Sequence, residues 1–229
     1  LFPVTEYPDL LVGLASPDDA AVLERGERDA LIVSVDFMPP IVDDPHDFGW
    51  IAAANAMSDV FAMGGEVLLA LNIAGFPEDL APDAVAAIVT GGAEAVRSAG
   101  GVVAGGHTVI DAEPKFGLAV VGSADPATLL RKDRARPGDL IALTKPLGTG
   151  LVTTALRDGA ADDADVAAAV GWMRTLSLHA SRAAVAAGIR CGTDVTGFGL
   201  AGHAAEVAVG SGAGLEIDVD SLPWLEGAR

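Results

Sequence analysis

The sequence predicts a mixed α/β protein made of two consecutive units. Short, β-branched apolar runs alternate with longer alanine-rich segments of helical period, the pattern that lays helices against a sheet. Glycine pairs and prolines mark the ends of those segments. A more polar stretch, residues 124–139 (ADPATLLRKDRARPGD), divides a first unit at 1–123 from a second at 124–229.

The elements follow in order. Ala30 to Asp36 (ALIVSVD) is apolar and β-branched and predicts a strand. Phe48 to Met63 predicts a helix stopped by Gly64-Gly65. Val67 to Ala74 (VLLALNIA) predicts a buried strand, and Pro82 to Ala99 a helix with proline near its start and Gly100-Gly101 after its end. Val102 to Ala104 and Phe116 to Val121 predict two further strands. In the second unit the pattern predicts a strand at Leu140 to Thr144 and helices over 149–157 and 163–187. A last helix is expected from Gly199, then a strand at Leu215 to Val219.

Composition excludes some functions. The chain has 229 residues, a 51% hydrophobic fraction and a net charge of −18 from 32 acids against 14 bases. Its mean hydropathy of +0.42 leaves ample material for a core. Nucleic acid and anionic lipid both need a basic footprint, so neither is an expected partner. A nucleotide ligand is compatible, because Mg²⁺ reconciles carboxylates with phosphates. No apolar run reaches the roughly 18 residues of a membrane span. The single cysteine, Cys191, forbids an internal disulfide and fits a cytoplasmic protein. Leu1 in first position reads as a missing start rather than a signal peptide.

The strongest chemical signal is a set of acids at the ends of apolar segments: Asp18 and Asp19 in SPDDAAV, Asp36, Asp59 in NAMSD, and Asp194 in TDVTG. Asn55 and Asp59, four apart, share one face of the first helix. A polar pair on an apolar, alanine-rich helix must meet water, a partner or a metal. Any one such acid alone reads as solvated. Several in apolar contexts suit a shared Mg²⁺ site, since Mg²⁺ prefers oxygen ligands.

Glycine motifs are weaker. Gly105-Gly106-His107-Thr108 follows a strand, where glycines permit a backbone to approach a ligand or form a tight turn. Lys145-Pro146-Leu147-Gly148-Thr149-Gly150 lacks Walker A spacing. Gly197 to Gly202 (GFGLAG) matches the dinucleotide fingerprint, with Asp218 downstream. The preceding RCGTDVT puts a glycine and an aspartate where a buried first strand belongs, which sets that reading aside. The four histidines, His46, His107, His179 and His203, have no zinc-type spacing.

Taken together, these segments resemble selenophosphate synthetase. The likeness runs through DDAAV at Asp18 to Val22 and VDFMPPIVDDPHDFGWIAAANAMSDVFAMGG at Val35 to Gly65. It continues through AGGHTV at Ala104 to Val109, EPKFGLAVVG at Glu113 to Gly122, LTKPLGTG at Leu143 to Gly150 and TDVTGFGLAGH at Thr193 to His203. The resemblance implies a two-domain, aminoimidazole ribonucleotide synthetase-like α/β fold. Its N-terminal domain would pair with its twin as a homodimer around a β-barrel, beside a C-terminal α/β domain that ends early here. It further implies that ATP, selenide and water yield selenophosphate, AMP and phosphate, in the service of selenocysteine biosynthesis. By motif match, Asp19, Asp59 and Asp194 are Mg²⁺ ligands. Asp36 and Asp59 hold the metal–nucleotide complex, with Asn55 beside them. Ser16, Pro17, Asp18, Gly106, His107 and Thr108 contact ATP. The family's glycine-rich segment with its Cys or selenocysteine and Lys lies upstream of the matched residues, so no catalytic residue is assigned and the chain alone is expected to be inactive. Sister ATP-dependent enzymes of the same superfamily share the NxxSD and GFGL elements, and a non-catalytic nucleotide-binding module is the third alternative.

Overall fold

In the computed structural model residues 7–228 are described; the expectation resting on Leu1 lies outside them. Six strands form one sheet in the order β1-β2-β3-β6-β4-β5. The strands are β1 (Leu10–Val12), β2 (Ala21–Gly26), β3 (Asp29–Met38), β4 (Glu66–Phe76), β5 (Val102–Ile110) and β6 (Lys115–Ala124). All neighbours are antiparallel except β4 and β5, which run parallel around α2 (Pro82–Ser98), as a crossover connection requires.

Alternation along β3 decides which face the helices cover. Ile32 is fully buried, Ser34 and Asp36 half-buried, while Val33, Val35 and Phe37 point the other way. α1 (Pro45–Ala62) lies on the covered face. It starts where Asp44 accepts a hydrogen bond from the Asp47 N–H at 2.8 Å, with Pro45 in the first turn. It is followed by Gly64 at φ +78°. Its apolar residues are buried nearly all round, because the sheet, α2, α4 (Asp163–Arg174) and α5 (Leu178–Ala186) all contact it. α1 and α2 approach closely through glycine: a Cβ on Gly49 would stand 1.9 Å from the Ile88 carbonyl oxygen. The main core cluster includes Phe48, Phe61, Phe116, Met57 and Ile32, and a smaller one joins Val152, Ala169 and Leu225.

The rest of the chain is helical: α3 (Thr149–Arg157), α4, α5 and α6 (Gly199–Ser211), with 3-10 turns between. Three expectations differ from this. The helix expected over 163–187 breaks at 175–177, where the Thr175 hydroxyl turns back onto the Gly171 carbonyl at 2.8 Å. The strands expected at Leu140 to Thr144 and Leu215 to Val219 do not form among the described residues. Leu140 to Thr144 is apolar and Leu215 to Val219 alternates apolar with acidic residues, but neither pairs with a neighbouring strand, and Leu140 is 98% exposed. The described residues beyond Ala124 form helices and 3-10 turns, with one isolated parallel bridge between Leu147 and Trp224. Finally, Gly105 to Thr108 are not a turn but lie within β5.

Candidate active site

Four carboxylates from four segments of the chain face one another where the end of α1 meets β3. The covered face of β3 presents Ser34 and Asp36, two apart, toward Asn55, Ser58 and Asp59 on α1. Asn55 donates to Asp36 and Ser34 donates to Asp59. Ser58 donates to Asp194, which arrives from the loop before α6. Asp19 comes from the loop before β2; its Oδ1 accepts from Thr193 at 3.0 Å and from the Lys132 ammonium at 2.8 Å. Each carboxylate thus has one oxygen held by a donor. The other oxygen of Asp19, Oδ2, is buried without a partner.

The electrostatics reflect crowding. Burial, reinforced by the charges of Asp194 and Asp18 and opposed by Lys132, pushes Asp19 up to about 7. Burial, with Asp194 and Asp36 nearby and Ser34 opposing, pushes Asp59 up to about 6. Asp36 is also raised, first by burial and then by Asp194, against the hydrogen bond from Asn55. Burial works against the Lys132 ammonium, but its bonds to Asp19 and Glu206 outweigh that and hold it above its usual value. Four carboxylates share the single ammonium of Lys132, so the cluster is short of positive charge, and the bare Asp19 oxygen offers a ready ligand. The set is all oxygen, the donor chemistry of Mg²⁺, so these residues fit that ion.

The remaining candidates fall in two places. Ser16 and Pro17 are exposed on the loop that carries Asp18 and Asp19. Asp18 is a loop anchor: its Oδ1 accepts from the Asp19 N–H and its Oδ2 from the Lys132 N–H, both at 2.9 Å. Gly106, His107 and Thr108 are exposed on the edge strand β5. Gly106 sits in the same cross-strand row as Asp36, through Leu118 and Asn72. Three strand spacings put it about 14 Å away. At Gly106 the backbone has φ +155° and a Cβ would meet the Asn72 carbonyl oxygen at 2.4 Å, so the glycine serves strand packing.

Sequence reasoning missed Lys132, Thr193, Ser34 and Ser58 as partners of the acids. Lys145 also comes close: its ammonium binds the Thr175 carbonyl, burial lowers its pKa, and the charge of Asp194 opposes that. The dinucleotide reading of Gly197 to Gly202 fails structurally, since no strand precedes α6. Among the described residues one trio, Asp44, His46 and Asp47, brings ligand atoms within 4.8 Å of one another. Each is engaged: Asp44 caps α1, His46 meets Glu94 at 3.0 Å, and Asp47 binds Arg174. A cavity of about 650 Å³ adjoins Asp47 and α4. It lies near the start of α1, about 18 Å along the helix from Asp59.

The models for AIR synthase related protein match residues 17–124 (N-terminal domain) and 136–228 (C-terminal domain). The selenide, water dikinase of Caldanaerobacter subterraneus subsp. tengcongensis is 46% identical over 99% of this chain, and that of Citrifermentans bemidjiense 48% over 97%. The chain spans 65% of the length of each. The solved structure of AaThiL complexed with AMPPCP and TMP superposes with a TM-score of 0.77 at 25% identity, covering 90% of this chain and 68% of that one. Hydrogenase maturation protein HypE in complex with ATP shares the fold, with a TM-score of 0.77 at 24% identity over 98% of this chain and 67% of that one. The chain belongs to the AIR synthase-related protein family, and its curated relatives within that family are selenide, water dikinases.

Proposed function

We propose that the protein carrying this chain is a selenide, water dikinase, making selenophosphate from selenide, ATP and water with release of AMP and phosphate. The observation that carries this reading is the convergence of Asp19, Asp36, Asp59 and Asp194 in a chain 46–48% identical to such dikinases. In this reading Asp19, Asp59 and Asp194 hold Mg²⁺, and Asp36 with Asp59 steadies the metal–nucleotide complex. Bound Mg²⁺ would neutralise phosphate charge and position the phosphates for transfer. The protein's own work is orientation: Ser34, Asn55, Ser58 and Thr193 each fix a carboxylate before any ligand arrives. Ser16, Pro17, Asp18, Gly106, His107 and Thr108 are proposed nucleotide contacts.

The same reading divides the chain near residue 124 into a nucleotide-binding domain and a second domain. It also makes the protein a homodimer through the uncovered sheet face. Val35 and Phe37 there are 62% and 52% exposed, a costly display of apolar surface.

Phosphorus NMR on the whole polypeptide with selenide and Mg-ATP tests the activity. Selenophosphate and AMP are the expected products. The likeness to AaThiL favours one second reading, an ATP-dependent kinase of a phosphorylated small molecule. Phosphorylation of TMP with no selenophosphate formed would replace the first reading with that one.

A further inference from the structure

We infer that Lys132 is a positioning residue that sets the Asp19 carboxylate for metal binding, and that α6 reaches the site through it. This inference rests on the proposed metal role of the aspartates. Lys132 lies in the 3-10 turn Lys132–Arg134, in the stretch joining the sheet to the later helices. Its backbone is pinned on both sides. The N–H donates to Asp18 Oδ2 at 2.9 Å, and the carbonyl accepts from the Ser211 hydroxyl at 2.9 Å. From that fixed base the side chain, only 14% exposed, spans two acids: Asp19 Oδ1 at 2.8 Å and Glu206 Oε2 at 2.9 Å.

Glu206 has a second neighbour. His203, on the same helix, is buried, and its Nε2 accepts from the Thr196 N–H at 3.2 Å. That bond leaves the proton on Nδ1, which faces Glu206 Oε2 from 3.6 Å, beyond hydrogen-bond reach. The result is a line of contacts from the loop before α6, through His203, Glu206 and Lys132, to Asp19.

The geometry at Asp19 gives the line its purpose. Lys132 and Thr193 both act on Oδ1, and Oδ2 is buried and bare. Two donors on one oxygen fix the plane of the carboxylate and leave the second oxygen open. Carboxylate ligands of metals are commonly oriented by such partners, and losing one costs about 10- to 100-fold in metal affinity. A lysine that instead blocked the metal would occupy the open oxygen, and this one does not.

The test is a titration of the protein with Mn²⁺ alone at pH 8, followed by electron paramagnetic resonance, on wild type, Lys132→Met, Asp19→Asn and the double variant. Lys132→Met is expected to weaken Mn²⁺ binding at least tenfold, and to cost nothing further once Asp19 is Asn. Glu206→Gln, which leaves the Lys132–Asp19 bond in place, is expected to weaken binding by a smaller factor and serves if Lys132→Met fails to fold. Unchanged or tighter binding in Lys132→Met and Glu206→Gln overturns the inference, as does an equal loss in the Asp19→Asn background. If Asp19→Asn and Asp59→Asn both bind Mn²⁺ like wild type, the metal site itself is misplaced and both readings fall.

Discussion

Without metal, the protein should lose stability as pH rises from 5.5 to 8.5, and Asp19→Asn should remove most of that slope. Asp19 has a folded value of about 7 against 3.8 unfolded. The folded state therefore holds more protons between those values, so stability falls as pH climbs through the window, with the full loss in place above about 7. The whole displacement corresponds to at most about 4 kcal/mol at roughly 1.4 kcal/mol per pH unit, and the part that falls above pH 5.5 to about 2 kcal/mol. Asp59, raised to about 6, acts in the same direction. Asp194 contributes to both, so the two losses are not additive. In a chain of this size about 2 kcal/mol moves Tm by roughly 4–8 °C across the scan. The opposing groups Asp111, Asp125, Asp133 and Glu206 have lowered values and act only below their ordinary range, outside the scan. Calorimetry across pH in a chelator would measure the slope, and excess Mg²⁺ should raise Tm most at the alkaline end. A metal-free Tm that is flat or rises over this range, or one that falls equally steeply in Asp19→Asn, refutes the reasoning.

Other consequences can be checked separately. Asp59→Asn should abolish ATP turnover in the whole enzyme, since a lost ligand charge among phosphates costs several kcal/mol, on the order of a thousandfold in rate; steady-state assay reads it. Mg-ATP should bind and NAD should not, despite the GFGLAG match, and micromolar NAD binding by calorimetric titration would restore the dinucleotide reading. Val35→Asp with Phe37→Asp should turn a dimer into a monomer by light scattering at micromolar concentration while preserving the circular dichroism spectrum. Gly49→Ala should lower stability by about 1–3 kcal/mol in urea unfolding, because its Cβ would sit 1.9 Å from the Ile88 carbonyl oxygen and force α1 away from α2.

What the sequence makes legible here depends on local signals. α1 could be read because Pro45 and the Gly64-Gly65 stop bracket it, and Asp59 stood out because carboxylates are rare on so apolar a helix. Strand β3 could be read from its β-branched run. Other features depend on partners far along the chain. Nothing in the sequence around Ser34 says that it faces Asp59, and Lys132 sits in a charged stretch that reads as solvated boundary. Lys132 and Asp19 are 113 positions apart, a pairing that no local pattern carries. Leu140 to Thr144 fails in the opposite way: its residues suit a strand, but a strand also needs a neighbour. Gly105-Gly106 misleads because glycine marks both turns and close backbone approaches, and here the approach is to Asn72.

The central claim is that the four aspartates bind nucleotide through Mg²⁺. Isothermal titration of ATP into the protein, with Mg²⁺ and then with chelator, addresses it most directly when repeated on Asp59→Asn and Asp194→Asn. The expected result is binding that requires Mg²⁺ and is lost or greatly weakened in both variants. ATP binding of equal strength in chelator, or undiminished in both variants, would contradict the account.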